Sequence, residues 1–226
     1  MKKNLSRLLP LICMLMLVIS SCKKTSDYLT DTGIHNAVTP LSNYDYLAQN
    51  QFKQFDTLLK IVDAFDGLKD EVNKAGTFFA PTDYSIITVI NNRARGKQLL
   101  NPAGTYTLDS LIKGMTIDSL RQYLFAETIT LDNAREGQAQ PFTSKGGTNQ
   151  AVLKVLQTGA PYIDRTSAAT YLLFFIKVRG ALDTPGVPAP ANESDITSLC
   201  QTSGIKTSNG TTTLHVLSNT HVFISF

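Results

Sequence analysis

The hydrophobic positions of this chain change their spacing about halfway along it. From residue 55, apolar side chains recur at i, i+3, i+4 and i+7, which predicts helices, as in Phe55, Leu58, Leu59 and Val62. Short helical patterns continue to residue 124. Beyond Ala126 the pattern becomes that of β-strands, which we predict at residues 128–131, 151–156, 171–178 and 215–226. Helices first and strands later, without regular β-α-β alternation, indicate an α+β fold.

Capping and breaking residues divide the helical half of the chain. Ser42, with Asp45 three positions later, has the pattern of a capping box at the start of the first helix. Gly67 is predicted to separate two of the later helices. Thr82 or Asp83 is predicted to cap a helix whose apolar face contains Ile86, Ile87 and Ile90. Residues 93–106 are polar and contain two glycines and a proline, which predicts a loop.

The N-terminal residues have the order of an export signal. Three cations precede an apolar run of 12 residues, 8–19, which is shorter than the roughly 20 residues of a membrane-spanning helix. The run leads into Ile19-Ser20-Ser21-Cys22, which resembles the bacterial lipobox. This resemblance implies a lipoprotein of the cell envelope, with a signal peptide at 1–21 and a lipidated Cys22. We expect a tether as far as residue 41, a folded domain at 42–226, and attachment to the outer membrane on its periplasmic or outer face.

Charge and cysteine usage change the picture once the signal is set aside. The signal holds three of the 21 basic residues and no acidic residue, so 18 basic and 18 acidic residues remain. Without a basic patch, nucleic acid is not an expected partner. Cys200 is then the single thiol of the domain, so no disulfide can staple it, and its apolar neighbours predict a buried side chain.

Two segments near opposite ends of the domain resemble the sequence boxes of the fasciclin (FAS1) family. Residues 76–83 read GTFFAPTD, and residues 209–217 read NGTTTLHVL. The resemblance covers residues 42–226 and implies a single fasciclin-like domain, with N-terminal helices packed on a β-sandwich or wedge formed mainly by the C-terminal half. The second box usually has aliphatic residues where this chain has threonines at 211–213. Residues 180–204 are longer than usual, which predicts an extra loop or short helix around residues 195–200.

The two boxes supply the candidate structural and interaction residues. These are Phe78, Phe79, Pro81, Thr82, Asp83, Asn209, Gly210 and His215. The two phenylalanines alternate across a predicted strand, so one of them is expected to enter the core. Pro81 lacks an N–H group, and the Thr82 hydroxyl is expected to bond the free amides of the next helix. Asn209 and Gly210 tolerate positive φ and are predicted to reverse the chain, while His215 faces away from its two apolar neighbours.

The histidines and carboxylates do not form a recognisable catalytic or metal-binding pattern. His35 lies in the tether, and His215 and His221 are predicted on the final strands, the first hydrogen-bonded and the second exposed. Their separation spans about 20 Å of extended chain, too far for one metal ion unless a hairpin at 218–219 folds them together. The Asp31-Thr32-Gly33 triplet has no second copy to pair with. We therefore expect no catalytic residue, no metal and no cofactor.

The fasciclin resemblance implies a non-catalytic module for adhesion or binding, which recognises protein or glycan and is held at the membrane through Cys22. One alternative is an accessory lipoprotein that captures glycan for an outer-membrane uptake system. Another, from a different class, is a hydrolase whose site is not recognisable from the sequence. Glycan capture predicts exposed aromatic side chains on loops, and the sequence offers Tyr106, Phe142 and Tyr162.

Overall fold

The computed structural model of the chain describes residues 38–159 and 169–223. Within these ranges helices come first and most strands come later, so the predicted α+β class is confirmed. The helices are α1 (Asn43–Ala48), α2 (Asp56–Asp63), α3 (Leu68–Asn73), α4 (Asp83–Leu100), α5 (Leu108–Lys113) and α6 (Asp118–Arg121). The strands are β1 (Thr77–Ala80), β2 (Leu124–Phe125), β3 (Gln140–Thr143), β4 (Asn149–Gln157), β5 (Thr170–Lys177), β6 (Ile196–Thr207) and β7 (Thr212–Leu217).

These strands form one mixed sheet in the order β2-β1-β7-β6-β5-β4-β3. Only the pairing of β1 with β7 is parallel among them. The sheet curls so far that its two edge strands approach each other. The rings of Phe125 on β2 and Phe142 on β3 lie 6.4 Å apart, and the amide of Lys145 donates to the carbonyl of Leu124 at 2.7 Å. A nearly closed sheet encloses an apolar interior and leaves little free edge.

The predicted cap at Ser42 and the predicted break at Gly67 are both confirmed. The Ser42 hydroxyl accepts from the amide of Asp45 at 3.1 Å and donates to the Asp45 carboxylate at 2.7 Å. Gly67 separates α2 from α3 in the left-handed conformation, with φ of 78°, which favours glycine. Cys200 is buried as predicted, and burial raises the pKa of its thiol.

Two predicted strands differ from those observed. Residues 128–131 do not form a strand, because side chains bind this segment instead: the amide of Ile129 donates to the Thr77 hydroxyl at 2.7 Å. The final strand ends at Leu217 rather than continuing. There the amide of His221 donates to the carbonyl of Ser218 at 2.9 Å and closes a turn. The remainder of that prediction, residues 224–226, lies outside the described residues.

Two predicted irregular segments are regular. Helix α4 continues through Gly96 to Leu100, because one glycine costs a helix only about 1 kcal/mol and does not end it. Residues 196–200 begin strand β6 rather than a short helix, because they find a partner in β5: Ser198 pairs with Phe175 and Ile196 with Lys177. A pattern within one segment does not show that a neighbouring strand is there to pair with it.

The domain begins a few residues before the predicted end of the tether. Val38 forms a bridge with Lys206, and the amide of Thr39 donates to the same residue at 2.8 Å. The amide of Ser208 donates to the carbonyl of Leu41 at 2.7 Å. Residues 38–41 are therefore bound to β6 and to the turn that follows it. The predicted signal peptide, Cys22 and His35 lie outside the described residues.

Candidate functional site

The two segments that resemble sequence boxes lie side by side in the sheet, as its second and third strands. In the parallel pairing of β1 with β7, Phe79 is opposite His215 and Ala80 is opposite Val216. The neighbours of this pair are β2 on one side and β6 on the other. The candidate residues of both boxes therefore belong to one continuous region, which we call the central joint.

The phenylalanines of the first box are both in the interior. The prediction that one of Phe78 and Phe79 enters the core was too narrow, because both are buried. Both faces of β1 are covered, as expected for a parallel pair of strands. The Phe79 ring stacks on the His215 ring, with ring centres 4.8 Å apart, and also contacts Phe175 at 5.1 Å.

His215 is held in one neutral form by two backbone partners. Its Nδ1 accepts from the amide of Gly204 at 3.2 Å, and its Nε2 lies 2.9 Å from the carbonyl of Ile129, to which it donates. A proton on Nδ1 would face the N–H group of Gly204. Burial lowers the pKa of His215 to about 4, and the nearby charge of Lys206 acts in the same direction. His215 is therefore a structural link between β7, β6 and the segment at 129, as the sequence predicted for a hydrogen-bonded histidine.

The polar residues after β1 connect distant parts of the chain. Thr82 occupies the position before α4, but its hydroxyl makes no cap there and instead donates to Oδ1 of Asn219 at 2.9 Å, so the predicted role of that hydroxyl was wrong. The Asp83 carboxylate accepts from the amides of Thr57 and Leu58 at 2.9–3.0 Å, so it caps α2 rather than its own helix. Pro81, which precedes them, is also buried.

The turn of the second box reverses the chain as predicted. Asn209 and Gly210 have φ of 57° and 91°, the left-handed region that asparagine and glycine tolerate. They lie in a short 3-10 turn, Ser208–Gly210, between β6 and β7. The amide of Asn209 also donates to the carbonyl of Thr39 at 3.0 Å. This turn therefore fixes the start of the domain as well as the hairpin.

A second buried histidine lies near the end of the described chain. His221 was predicted to be exposed, but it is buried between two hydroxyls: Ser198 Oγ is 2.8 Å from Nδ1 and the Tyr123 hydroxyl is 2.8 Å from Nε2. Burial, with a smaller effect from the Lys177 charge, lowers the pKa of His221 to about 4. A serine beside a histidine can form a nucleophile. Here all three side chains are buried, so a substrate has no route to Ser198.

The two histidines do not come together, because each is bonded to different partners. Among the described residues, no group of three or more His, Cys, Asp or Glu side chains could hold a metal ion. In the same ranges no helix is both long and apolar enough to cross a membrane.

A cleft of about 530 Å³ lies where the long 178–195 connection meets β4 and β5. Asp183 and Asp195 line it, but each carboxylate is bonded to the backbone of the other residue, at 2.9 and 2.8 Å. Asp195 also accepts from the amide of Arg179 at 2.9 Å. The two carboxylates therefore close a loop, and most of their oxygen atoms are already used.

The most exposed aromatic side chain among the described residues is Phe52, at 74%. It stands on the turn between α1 and α2, with hollows of about 310 and 260 Å³ on its two sides. One hollow is shared with Gln49 and Gln51, and the other with Tyr84 and Ile87 at the start of α4. These five residues are called the Phe52 surface below. Tyr84 and Ile87 are also exposed, at 57% and 45%.

The turn that carries Phe52 is fixed by its own hydrogen bonds. Asn50 Oδ1 accepts from the amide of Phe52 at 3.1 Å and from that of Gln54 at 3.4 Å. Lys53 has a φ of 53°, and the carbonyl of Gln54 accepts from the amide of Asp83 at 2.8 Å. The backbone that carries the exposed ring is therefore held in one conformation, which reduces the entropy that a ligand must overcome.

Two of the three loop aromatics that the sequence offered, Tyr106 and Phe142, are only partly exposed. The Tyr106 hydroxyl accepts from Arg93 at 2.7 Å, and Phe142 packs against Phe125, so both are half-buried. Tyr162 lies outside the described residues. In the sequence, Phe52 reads as one more apolar residue of the helical region. The signal that separates it is its spacing of five residues from the buried Leu47, which does not fit one helix face.

Comparisons of the whole sequence with known proteins find no match. No protein-family profile matches the sequence, and no curated protein matches it either.

Proposed function

We propose that this chain is a lipid-anchored, non-catalytic binding domain of fasciclin type in a bacterial cell envelope. The support for the fasciclin type is the central joint: two segments that resemble its boxes pair directly through Phe79 and His215. The support for the anchor is the order of charge, apolar run and small residues before Cys22. The ligand does not follow from the fold, so it must come from a surface.

The observation that carries the binding role is the Phe52 surface. An aromatic ring that is 74% exposed on a rigid turn contributes little to folding. Exposed apolar groups that adjoin one another, with a polar rim, are typical of recognition sites. Here Phe52, Tyr84 and Ile87 adjoin across one hollow, and the side chains of Gln49 and Gln51 are exposed beside the other. The Phe52 surface therefore has both the adjoining apolar groups and the polar rim that are typical of a recognition site.

Its chemistry favours a neutral glycan as the ligand. Aromatic rings offer flat apolar faces on which the C–H faces of a sugar ring can stack. Side-chain amides carry both donors and acceptors, which suits hydroxyl groups that also do both. Within the described residues, the amide groups of Gln49 and Gln51 take part in no hydrogen bond, so they are available. This version of the function is the glycan-capture alternative stated above.

The buried polar groups support a non-catalytic role over a hydrolase. His215 and His221 are buried and bonded on both ring nitrogens. Asp183 and Asp195, which line the largest cleft described above, bond each other's backbone. A general acid or base needs a proton that a substrate can reach. The two histidines offer none, and three of the four carboxylate oxygens of the aspartates already accept backbone hydrogen bonds.

Glycan binding can be tested directly with the purified protein on an array of plant and microbial oligosaccharides and polysaccharides, followed by calorimetry with the strongest binder. Phe52→Ala is expected to weaken that binding at least tenfold, because the stacking face is removed. Val187→Ala, at another exposed apolar side chain, is the matched control and is expected to change nothing. Equal effects of the two substitutions, or no glycan binding at all, would reject the glycan surface.

The anchor needs a separate experiment. Cells that express the chain are fed an alkyne-labelled fatty acid, and the protein is then isolated and tested for label. We expect label in the wild type and none in Cys22→Ser, with the variant released from the membrane fraction. Label that persists in Cys22→Ser would overturn the anchor and leave the glycan surface untouched.

A further inference from the structure

The C-terminal end of α4 exposes two adjacent leucines. Leu99 is 84% exposed and Leu100 is 91% exposed, more than any other large apolar side chain among the described residues. The second half of this helix, from residue 91, is exposed at every position except Ala94 and packs against little of the domain. The leucines therefore have no role in the core of the described structure.

The C-terminal end of α4 is nevertheless fixed by hydrogen bonds. The amide of Asn101 donates to the carbonyl of Lys97 at 2.9 Å, and the amide of Gly104 donates to that of Asn101 at 2.7 Å. Asn101 Oδ1 accepts from the amide of Ala103 at 3.1 Å. A Cβ on Gly104 would come within 2.9 Å of the Asn101 carbonyl oxygen, so glycine lets the chain fold back tightly. The two leucines are held at the tip by this closed turn.

The same segment carries positive charge without compensation. Arg93, Arg95 and Lys97 lie within two turns of the leucines, and residues 84–108 contain no Asp or Glu. None of the three cations forms a salt bridge within the described part of the chain. Arg93 and Lys97 lie over the Tyr106 ring, at 5.5 and 5.4 Å from its centre. The mature chain as a whole is neutral, so this is a local patch.

We propose that this tip, formed by Arg93, Arg95, Lys97, Leu99 and Leu100, docks on the anionic surface of a phospholipid bilayer. A helix rises 1.5 Å per residue, so Arg95 stands about 6 Å behind Leu99 along the axis. Shallow insertion buries apolar side chains about 5–10 Å into the boundary of headgroups and acyl chains. At that depth the cations are level with the lipid phosphates.

The charge and the size of the tip favour a bilayer over a protein partner. Two leucines cannot supply the roughly 800 Å² that each side of a stable protein interface buries. Three cations that form no salt bridge within the described residues complement an anionic lipid surface, where each basic residue adds about fivefold to binding. This surface is distinct from the proposed glycan site: Tyr84 lies at the opposite end of α4, about 24 Å away along the helix axis. A docked tip would leave the Phe52 surface facing away from the membrane.

The chain contains no tryptophan, which gives a site-specific probe of insertion. Leu100→Trp places one indole at the tip, and Phe52→Trp places one on the Phe52 surface as the matched control. Each full-length variant is mixed with vesicles of phosphatidylcholine containing phosphatidylglycerol, or of phosphatidylcholine alone, and the emission is recorded. We expect a blue shift and quenching by brominated lipid for Leu100→Trp on the anionic vesicles only. The Phe52→Trp emission is expected to stay that of an exposed indole.

The charge is tested in the same background. Replacing Arg93, Arg95 and Lys97 together by Gln in the Leu100→Trp variant is expected to lower partitioning onto anionic vesicles at least tenfold, with circular dichroism confirming the fold. The readout is local, so attachment through Cys22 does not produce it. An unshifted emission for Leu100→Trp would overturn the proposal. Equal shifts at both probe positions, or an equal response on neutral vesicles, would also overturn it. A blue shift of Leu100→Trp without lipid would overturn it as well, because it would indicate that self-association covers the leucines.

Discussion

The central joint and the Phe52 surface contain similar kinds of residue and use them in opposite ways. At the joint, Phe79 and His215 are stacked and buried, and both ring nitrogens of the histidine have backbone partners. On the Phe52 surface, an aromatic ring and two glutamines stand in solvent. Polar groups that are fully bonded inside the domain define its architecture. Those that are left unbonded outside it are available to a ligand, and the surface that we propose for binding therefore lies outside the most recognisable sequence motif.

A change of pH is expected to have the largest effect on stability, through the buried histidines. Both buried histidines have a folded pKa near 4 against an ordinary value of 6.5, so their contribution is complete above pH 6.5 and is lost as the pH falls from 6.5 to 4. At pH 4 the free energy of unfolding is therefore expected to be lower by about 3 kcal/mol for each histidine. Urea unfolding at pH 7, 5.5 and 4 measures this. The variant His221→Gln is expected to keep the share of the pH dependence that is due to His215. If the free energy of unfolding of the wild type does not change between pH 6.5 and 4.5, the burial of both rings is contradicted.

A pair of glycine substitutions gives the next largest contrast. A Cβ at Gly76, just before β1, would lie 2.1 Å from the carbonyl oxygen of Ala126, whereas a Cβ at Gly96 in α4 meets no atom within 4 Å. Gly76→Ala is therefore expected to lower the free energy of unfolding by about 4 kcal/mol. Gly96→Ala is expected to raise it by about 0.5–1 kcal/mol, because alanine favours the helix. Chemical denaturation compares the two, and effects of the same sign would show that the joint is not tightly packed.

Removing the carboxylate that connects the first box to α2 should have an intermediate effect. Asp83→Ala leaves the amides of Thr57 and Leu58 without an acceptor, and we expect a loss of about 2–3 kcal/mol. Asp83→Asn keeps one acceptor oxygen and is the conservative control, with a loss of about 1 kcal/mol. Thermal and urea unfolding give both values. Equal losses in the two variants would mean that the charge matters and the cap geometry does not.

The smallest expected effect on stability belongs to the Phe52 surface. Phe52→Ala is expected to change the free energy of unfolding by less than about 0.5 kcal/mol, since the ring is exposed and buries little. Phe79→Ala, its buried counterpart, is expected to cost about 3–5 kcal/mol. Calorimetric unfolding of the two variants compares the same substitution at an exposed and at a buried phenylalanine. A large loss for Phe52→Ala would show that this ring supports the domain rather than a ligand.

The sequence predicts the features of this fold that depend on neighbouring residues. The cap at Ser42, the break at Gly67 and the chain reversal at Asn209 are all confirmed, because each depends on backbone preferences of one or two residues. The pairing of the two boxes is a different matter. The structure shows it in the register of Phe79 with His215, but no periodicity in either segment specifies a partner so far along the chain.

Features that depend on distant partners could not be predicted. His221 looks like an exposed residue after a strand, and only the approach of Ser198 and Tyr123 makes it buried. Residues 196–200 look like a short helix until β5 provides a ladder for them. The exposure of Phe52 likewise depends on what the rest of the domain leaves uncovered. In each case the deciding contact comes from a segment that local patterning does not include.

The parallel pairing of β1 with β7 also determines when this domain can fold. The last described strand lies between the first strand and β6, and the bond from Thr82 to Asn219 joins residues 137 positions apart. A growing chain therefore has two unfinished sheet fragments until residue 217 has left the ribosome. Such long-range closure is slow compared with local helix formation. The export that we propose requires a chain that is still unfolded when it enters a translocation channel, and this strand order postpones folding until the last described strand has been made.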